Sequence, residues 1–154
     1  MSNASQPRVI VDDKKWQKPL PNIDSDSAEF WEGLKRHELL LWTCGDCGAS
    51  YWPMCYCVNH ENQPFATNLS WKPSSGYGRI HSMNRHEYAF HAGFKEDVPY
   101  FYALVELDEG PVVSSTIVGK QPDGVIAGIG RRVRIVFEDH PGEDMTLPRF
   151  ELVK

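Results

Sequence analysis

Four cysteines fall within fourteen residues, at Cys44, Cys47, Cys55 and Cys57, and His60 follows three positions after the last. The chain has no other cysteine. The stretch TCGDCGASYWPMCYCVNH offers a tight Cys-x-x-Cys turn, a short aromatic hairpin and a second group of soft ligands. Thiolates and an imidazole so spaced suit one tetrahedral Zn²⁺. A metal knot at this place divides the chain into a helical N-terminal part, a metal module and a β-rich C-terminal part.

The cysteine count alone does not settle the ligands. One set uses all four thiols, which requires Cys55 and Cys57 to bind across a single intervening residue. A zinc knuckle normally leaves two residues between ligands, so that backbone N–H groups point at the sulfurs. The second set pairs Cys44 and Cys47 with Cys57 and His60; both halves then have knuckle spacing and Cys55 stands aside. Spacing favours the second set, with Cys55 as the alternative ligand, beside the plainer possibility of a ribbon that holds no metal. Four protein ligands leave no open position, so the ion is structural rather than catalytic.

Around this module the pattern of apolar residues predicts a mainly β chain. Residues 5–25, with Pro7, Pro19 and Pro21, read as an extended arm anchored by Trp16. Asp26, with Glu29 three residues on, reads as the N-cap of a short helix over 27–36 that turns Phe30, Trp31 and Leu34 to one side. Leu39–Trp42 reads as a strand feeding the first knuckle. Strands are then expected at 68–72, 79–88, 100–107, 112–118, 131–138 and 150–152, with a bend at Gly76 and Gly78. Short bent strands without a long intervening helix suggest a five-stranded Greek-key barrel of the OB type. The expected organisation is an arm over 1–25, helix and lead-in strand over 26–42, zinc ribbon over 43–66 and barrel over 67–154.

Composition narrows the functional classes. A length of 154 residues with 41% hydrophobic and 24% charged residues fits one compact unit with its own core. The formal charge of −5 argues against gripping phosphate backbones, and the Arg132/Arg134 pair reads as the solvated face of a strand rather than an anion site. No apolar run is long enough to span a bilayer, and no secretory leader is visible. Together with clustered thiols this points to a reducing cytoplasm.

Four blocks carry a resemblance: FWEGLKRHELLLWTCGDCG (30–48), Trp71 followed by SGYGRIHS, PYFYALVELDEGP (99–111) and IGRRVRIVFED (129–139). In order and spacing they resemble the family catalogued as domain of unknown function 35, over about Asp24 to Phe150. The resemblance implies an N-terminal helical segment, a rubredoxin-like zinc ribbon and an OB-fold associated with acyl-CoA enzymes. Members with a full ribbon look like Cys-x2-Cys, an aromatic-proline stretch, then Cys-x2-Cys. Here Trp52–Pro53 keeps the proline and the last ligand position falls on His60. The family implies a role more than a reaction: an accessory subunit that binds acyl-CoA and docks on or bridges a thiolase-like acyltransferase, thiolase or aldolase. Trp31, Trp52, Arg85, His86 and Phe94 are the surface expected to meet CoA or that partner.

No catalytic residue is expected. His81, His86 and His91 lack a nucleophile with a spaced base and acid, and Cys55 beside a knuckle reads as a packed thiol. The competing reading is a single-stranded nucleic-acid binder, for which Phe90, Phe94, Tyr100 and Tyr102 would stack on bases; net acidity weighs against it. A free-standing acyl-CoA hydrolase or hydratase would need His86 or His91 as general base.

Overall fold

The computed structural model describes residues 6–60 and 68–154; the expected boundary between ribbon and barrel, at 66/67, lies outside them. In chain order the strands are β1 (Arg8–Val11), β2 (Leu40–Cys44), β3 (Ser50–Tyr51), β4 (Leu69–Pro73), β5 (Tyr77–His86), β6 (Tyr100–Leu107), β7 (Val112–Val118), β8 (Arg132–His140) and β9 (Met145–Leu152). Helix α1 (Ala28–Lys35) precedes β2, and a single turn, α2 (Val125–Gly128), precedes β8. Among the described residues no helix is long and apolar enough to cross a membrane.

Five strands close a barrel. The order β8-β5-β6-β7-β9 returns to its start because β9 also pairs with β8. Alternation drives this closure: in β6, Phe101, Ala103, Val105 and Leu107 are buried while the residues between them face outward. Val113 and Ile117 of β7, Val133, Ile135 and Phe137 of β8 and Phe150 of β9 fill the same interior. Arg132 and Arg134 do lie on the other face, each on a carboxylate: Arg132 on Asp108, and Arg134 on Glu151 at 2.7 Å.

The bend in β5 is not made by its glycines. The register against β6 shifts between Ile80 and Ser82, a bulge centred on His81. Gly78 instead permits close approach, since a Cβ there would sit 2.5 Å from the Glu106 carbonyl oxygen. Gly76 turns the chain into β5 with φ +75°, and a Cβ there would run into Ile135.

The N-terminal arm contributes a strand. β1 runs parallel to β8 over Val136–Asp139, just past the Arg132–Arg134 stretch where β5 pairs, so it covers the edge that β5 leaves behind. Arg8 joins Glu151 at 2.9 Å, and Trp16 packs edge-on against His140 with ring centroids 4.8 Å apart.

Helix α1 begins at Ala28 with Ser27 at the cap position, one residue later than expected, and Asp26 does not cap it. Asp24, not Asp26, closes the first turn: Ser27 N–H donates to its carboxylate at 2.9 Å, and Ser27 Oγ accepts from Asp24 N–H at 3.2 Å. This reciprocal pair is a capping box built on Asp-x-x-Ser, and Ala28 N–H donates to the Asp24 carbonyl at 2.9 Å. Among the described residues, Asp26 receives only the Ser25 hydroxyl, at 3.3 Å. Phe30 and Leu34 turn inward and join the barrel core, which supplies the stability that an eight-residue helix lacks alone.

A second, three-stranded sheet has the order β3-β2-β4. β4 pairs antiparallel with β2 from Leu40–Pro73 to Cys44–Leu69, and then passes through Ser74–Gly76 straight into β5. That junction is clasped. Glu109, from the β6–β7 turn, accepts from Ser74 Oγ at 3.0 Å and from Ser75 N–H at 2.6 Å, while Ser74 N–H donates to the Leu39 carbonyl at 2.7 Å.

Candidate metal centre and aromatic recess

β2 delivers Cys44 to the end of the small sheet, where the chain folds back sharply. Cys44 N–H bonds the Ala49 carbonyl and Gly48 N–H bonds the Cys44 carbonyl, both at 2.9 Å. This turn holds Cys47 beside Cys44. The opposing Cys57-x2-His60 segment brings its two side chains onto the same point. One ligand atom from each of Cys44, Cys47, Cys57 and His60 lies within 4.8 Å of every other. Cys44 Sγ is 3.4 Å from His60 Nε2, and Cys47 Sγ is 3.5 Å from Cys57 Sγ.

These separations suit a tetrahedral ion. With metal–sulfur bonds near 2.3 Å, neighbouring ligand atoms of a tetrahedron stand about 3.8 Å apart. Three thiols and one imidazole are a donor set that zinc favours. Cys44 and Cys57 are buried, whereas Cys47 and Cys55 are exposed. Cys55 lies outside the four-residue group.

Local hydrogen bonds prepare the sulfurs. The Asn59 amide, 3.5 Å away, and the Ala49 backbone N–H pull the Cys47 thiol down to about 6. The Tyr51 hydroxyl donates to Cys57 Sγ at 3.3 Å while accepting from Val58 N–H at 3.1 Å, so one phenol from β3 grips the second knuckle at two points. Its own pKa rises because it faces the Cys57 sulfur. The Cys55 thiol, although exposed overall, is pushed up by partial desolvation and by the neighbouring Cys57, which makes it the less available thiolate.

The five residues expected on the partner surface fall in two places. Trp31 and Trp52 line one recess of about 410 Å³, with Phe30, Met54 and Trp71 as further apolar walls and Asp24 and Asp26 at its rim. The buried Phe30 ring lies 5.7 Å from Trp31, 6.0 Å from Trp52 and 6.4 Å from Trp71. Helix, ribbon and β4 thus each supply a wall. Arg85, His86 and Phe94 belong to the barrel instead. His86 stacks on Tyr100 with centroids 4.9 Å apart and planes 9° apart, and Arg85 pairs with Glu87 at 3.0 Å. Phe94 lies on the turn Ala92–Phe94, under the Lys18 ammonium at 5.1 Å. It lines a groove of about 210 Å³ with Tyr100, Lys18, Glu138 and Arg149.

Sequence reading missed Phe30, Met54 and Trp71 as walls of the recess, and Lys18, Glu138 and Arg149 in the groove. Trp71 beside a turn was the one visible signal; the rest depend on strand pairing across long separations. The histidines do local work. His91 Nδ1 accepts from Gly93 N–H at 3.1 Å, and His81 stands 3.9 Å from Glu106.

Comparison with known proteins follows the same outline. A family model described as the C-terminal OB-fold domain of ChsH2 matches residues 71–138. The chain is 32% identical over 124 residues to a DUF35 domain-containing scaffold protein of Methanothermobacter thermautotrophicus, covering 78% of this chain and 89% of that protein. It is 30% identical over 139 residues to the 3-oxo-4,17-pregnadiene-20-carboxyl-CoA hydratase alpha subunit of Mycobacterium tuberculosis. That match takes in 90% of this chain but 42% of the relative, so the chain spans less than half of that protein's length. Among solved structures, a chain of the Ltp2-ChsH2(DUF35) aldolase superposes with a TM-score of 0.72 at 28% identity, over 86% of this chain and 98% of that one. A DUF35 protein of Sulfolobus solfataricus, at 15% identity and a TM-score of 0.53 over 84% of this chain and 86% of that one, shares the fold.

Proposed function

Because this chain belongs to the DUF35 family, with its ChsH2-type OB-fold, we propose that it is a non-catalytic accessory subunit of an acyl-CoA enzyme complex. It docks on or bridges a thiolase-like enzyme, and its barrel meets the acyl-CoA that the partner transforms. The observation that carries this reading is the likeness, over nearly the whole of that chain, to the DUF35 chain of the Ltp2-ChsH2 aldolase. The hydratase alpha subunit and the scaffold proteins among its relatives support the same class of role.

In this reading residues 43–66 form the ribbon, with Cys44, Cys47, Cys57 and His60 holding one structural Zn²⁺ and Cys55 spare. The ion would cross-link β2, the knuckle and the segment before residue 61, and so steady the wall that carries Trp52. It contributes folding free energy and leaves no position for substrate. The arm over 1–25, the helical segment over 26–42 and the barrel over 67–154 complete the organisation, in a reducing compartment where the thiols stay free.

Co-expression with a thiolase-like protein encoded beside it tests the role. A complex that survives gel filtration is the expected result; a chain that elutes alone against every such neighbour overturns it.

A further inference from the structure

The aromatic recess has a rim of the wrong sign for a purely apolar occupant. Phe30, Trp31, Trp52 and Trp71 form its walls, yet Asp24 and Asp26 stand at its mouth. The basic side chains of α1 are engaged elsewhere: Lys35 with Glu32 and Asp144, Arg36 with Glu29 and Glu38. Among the described residues no cation pairs with Asp24 or Asp26. An apolar side chain seated here would strip water from two carboxylates and return nothing to them. A cation satisfies both surfaces at once, since the faces of tryptophan rings attract positive charge and the carboxylates pair with it.

The helix N-terminus opposes a cation, because its free N–H groups are the positive end of α1. That opposition is already met. One Asp24 oxygen accepts from Ser27 N–H and Ser27 Oγ, at 2.9 and 2.7 Å, and Asp24 and Asp26 are both exposed at the recess. Size and shape separate the candidate cations. A recess of about 410 Å³ is far larger than an ammonium group. A guanidinium is planar, stacks on aromatic faces, pairs with a carboxylate through two parallel N–H groups and is weakly hydrated. Its chain neighbours would fill the remaining volume.

We infer that this recess is an arginine-binding site, which takes a guanidinium presented by a segment of the partner protein. The inference rests on the accessory-subunit reading for the partner's identity, but the site itself belongs to this chain alone. Trp31, Trp52 and Trp71 receive the guanidinium plane, and Asp26, with Asp24 beside it, receives its N–H groups. Arginine is a common anchor at interfaces, and a desolvated cation against aromatic rings is among the stronger single contacts there.

The test uses the isolated full chain loaded with zinc and N-acetyl-arginine amide as probe. Neutral N-acetyl-citrulline amide, of nearly the same shape, is the comparison. In proton–nitrogen correlation spectra, the indole signals of Trp31, Trp52 and Trp71 should shift and saturate at millimolar arginine amide, with Trp16 unmoved. Citrulline amide should bind at least about fivefold more weakly. Asp26→Asn should weaken the arginine amide severalfold while leaving the spectrum of the barrel unchanged, and Trp52→Leu should abolish the saturable shifts. Absence of saturable shifts, equal binding of the neutral probe, or an Asp26→Asn variant that binds as tightly as the parent each overturns the site. The two readings fail separately. Arginine binding without any thiolase-like complex removes the accessory role and keeps the site; a complex that forms normally while the recess ignores arginine removes the site alone.

Discussion

Glu138 shows how a single side chain sets a pH limit. Burial pushes its carboxyl pKa up, but Arg149, at 2.9 Å, and His140, at 2.8 Å, more than offset this, so it titrates below its ordinary value of 4.5. The folded value is thus lower than the unfolded one. The stabilisation is complete above the ordinary value and is lost as pH falls through the folded one. Urea unfolding should show stability dropping below about pH 5. Glu138→Ala should cost about 3 kcal/mol at pH 7 and flatten that drop. The metal ligands make a sharper residue-scale prediction. Metal analysis of purified protein should give about one zinc per chain. His60→Ala and Cys57→Ala should lose it, and Cys55→Ser should keep it; the reverse pattern would move the fourth ligand to Cys55. Because thiolates must be deprotonated to bind, zinc should leave on acidification. That Cys44, Cys47, Cys57 and His60 come together was legible in the knuckle spacing, since two residues between side chains is a local property. The hydrogen bonds to sulfur from Asn59 and Tyr51 were not legible, because they depend on how the two knuckles face one another.

At the level of elements, α1 is held by what it packs on. Leu34 is fully buried, and Leu34→Ala should cost about 2–5 kcal/mol in chemical denaturation. The cap offers a finer comparison: Asp24→Ala should lower the unfolding midpoint, whereas Asp26→Ala should leave it nearly where it was. The sequence pattern points to Asp26-x-x-Glu29, whereas the turn leading into α1 is tied by Asp24 and Ser27 instead. Phe30 and Leu34 pack on the barrel core, and this tertiary contact, which no local cap pattern reports, holds the helix that follows. Strands β6 and β7 were readable to the residue because each has one buried face and a clear turn between them. β1 and β3 were not. One is four residues paired in parallel with a strand about 128 positions away, the other only two residues long, and neither leaves a periodic trace.

The whole molecule combines a closed barrel with two additions, a strand paired on β8 and a small sheet whose last strand runs on into β5. Removing the first thirteen residues would strip β1 from β8 and the Arg8 contact from Glu151, leaving the Val136–Asp139 edge bare. Such a truncation should melt earlier and self-associate with rising concentration, as light scattering would show; an unchanged melting curve would mean that the arm is an ornament. The barrel and the ribbon were each legible, one from alternation and one from cysteine spacing, but their connection was not. It rests on Glu109 gripping Ser74 and Ser75, where two sheets trade one length of chain. A clasp at that corner makes the protein a gauge. In the bridging role proposed above, partners seated on the tryptophan-walled recess and on the barrel would be held at one spacing and one angle.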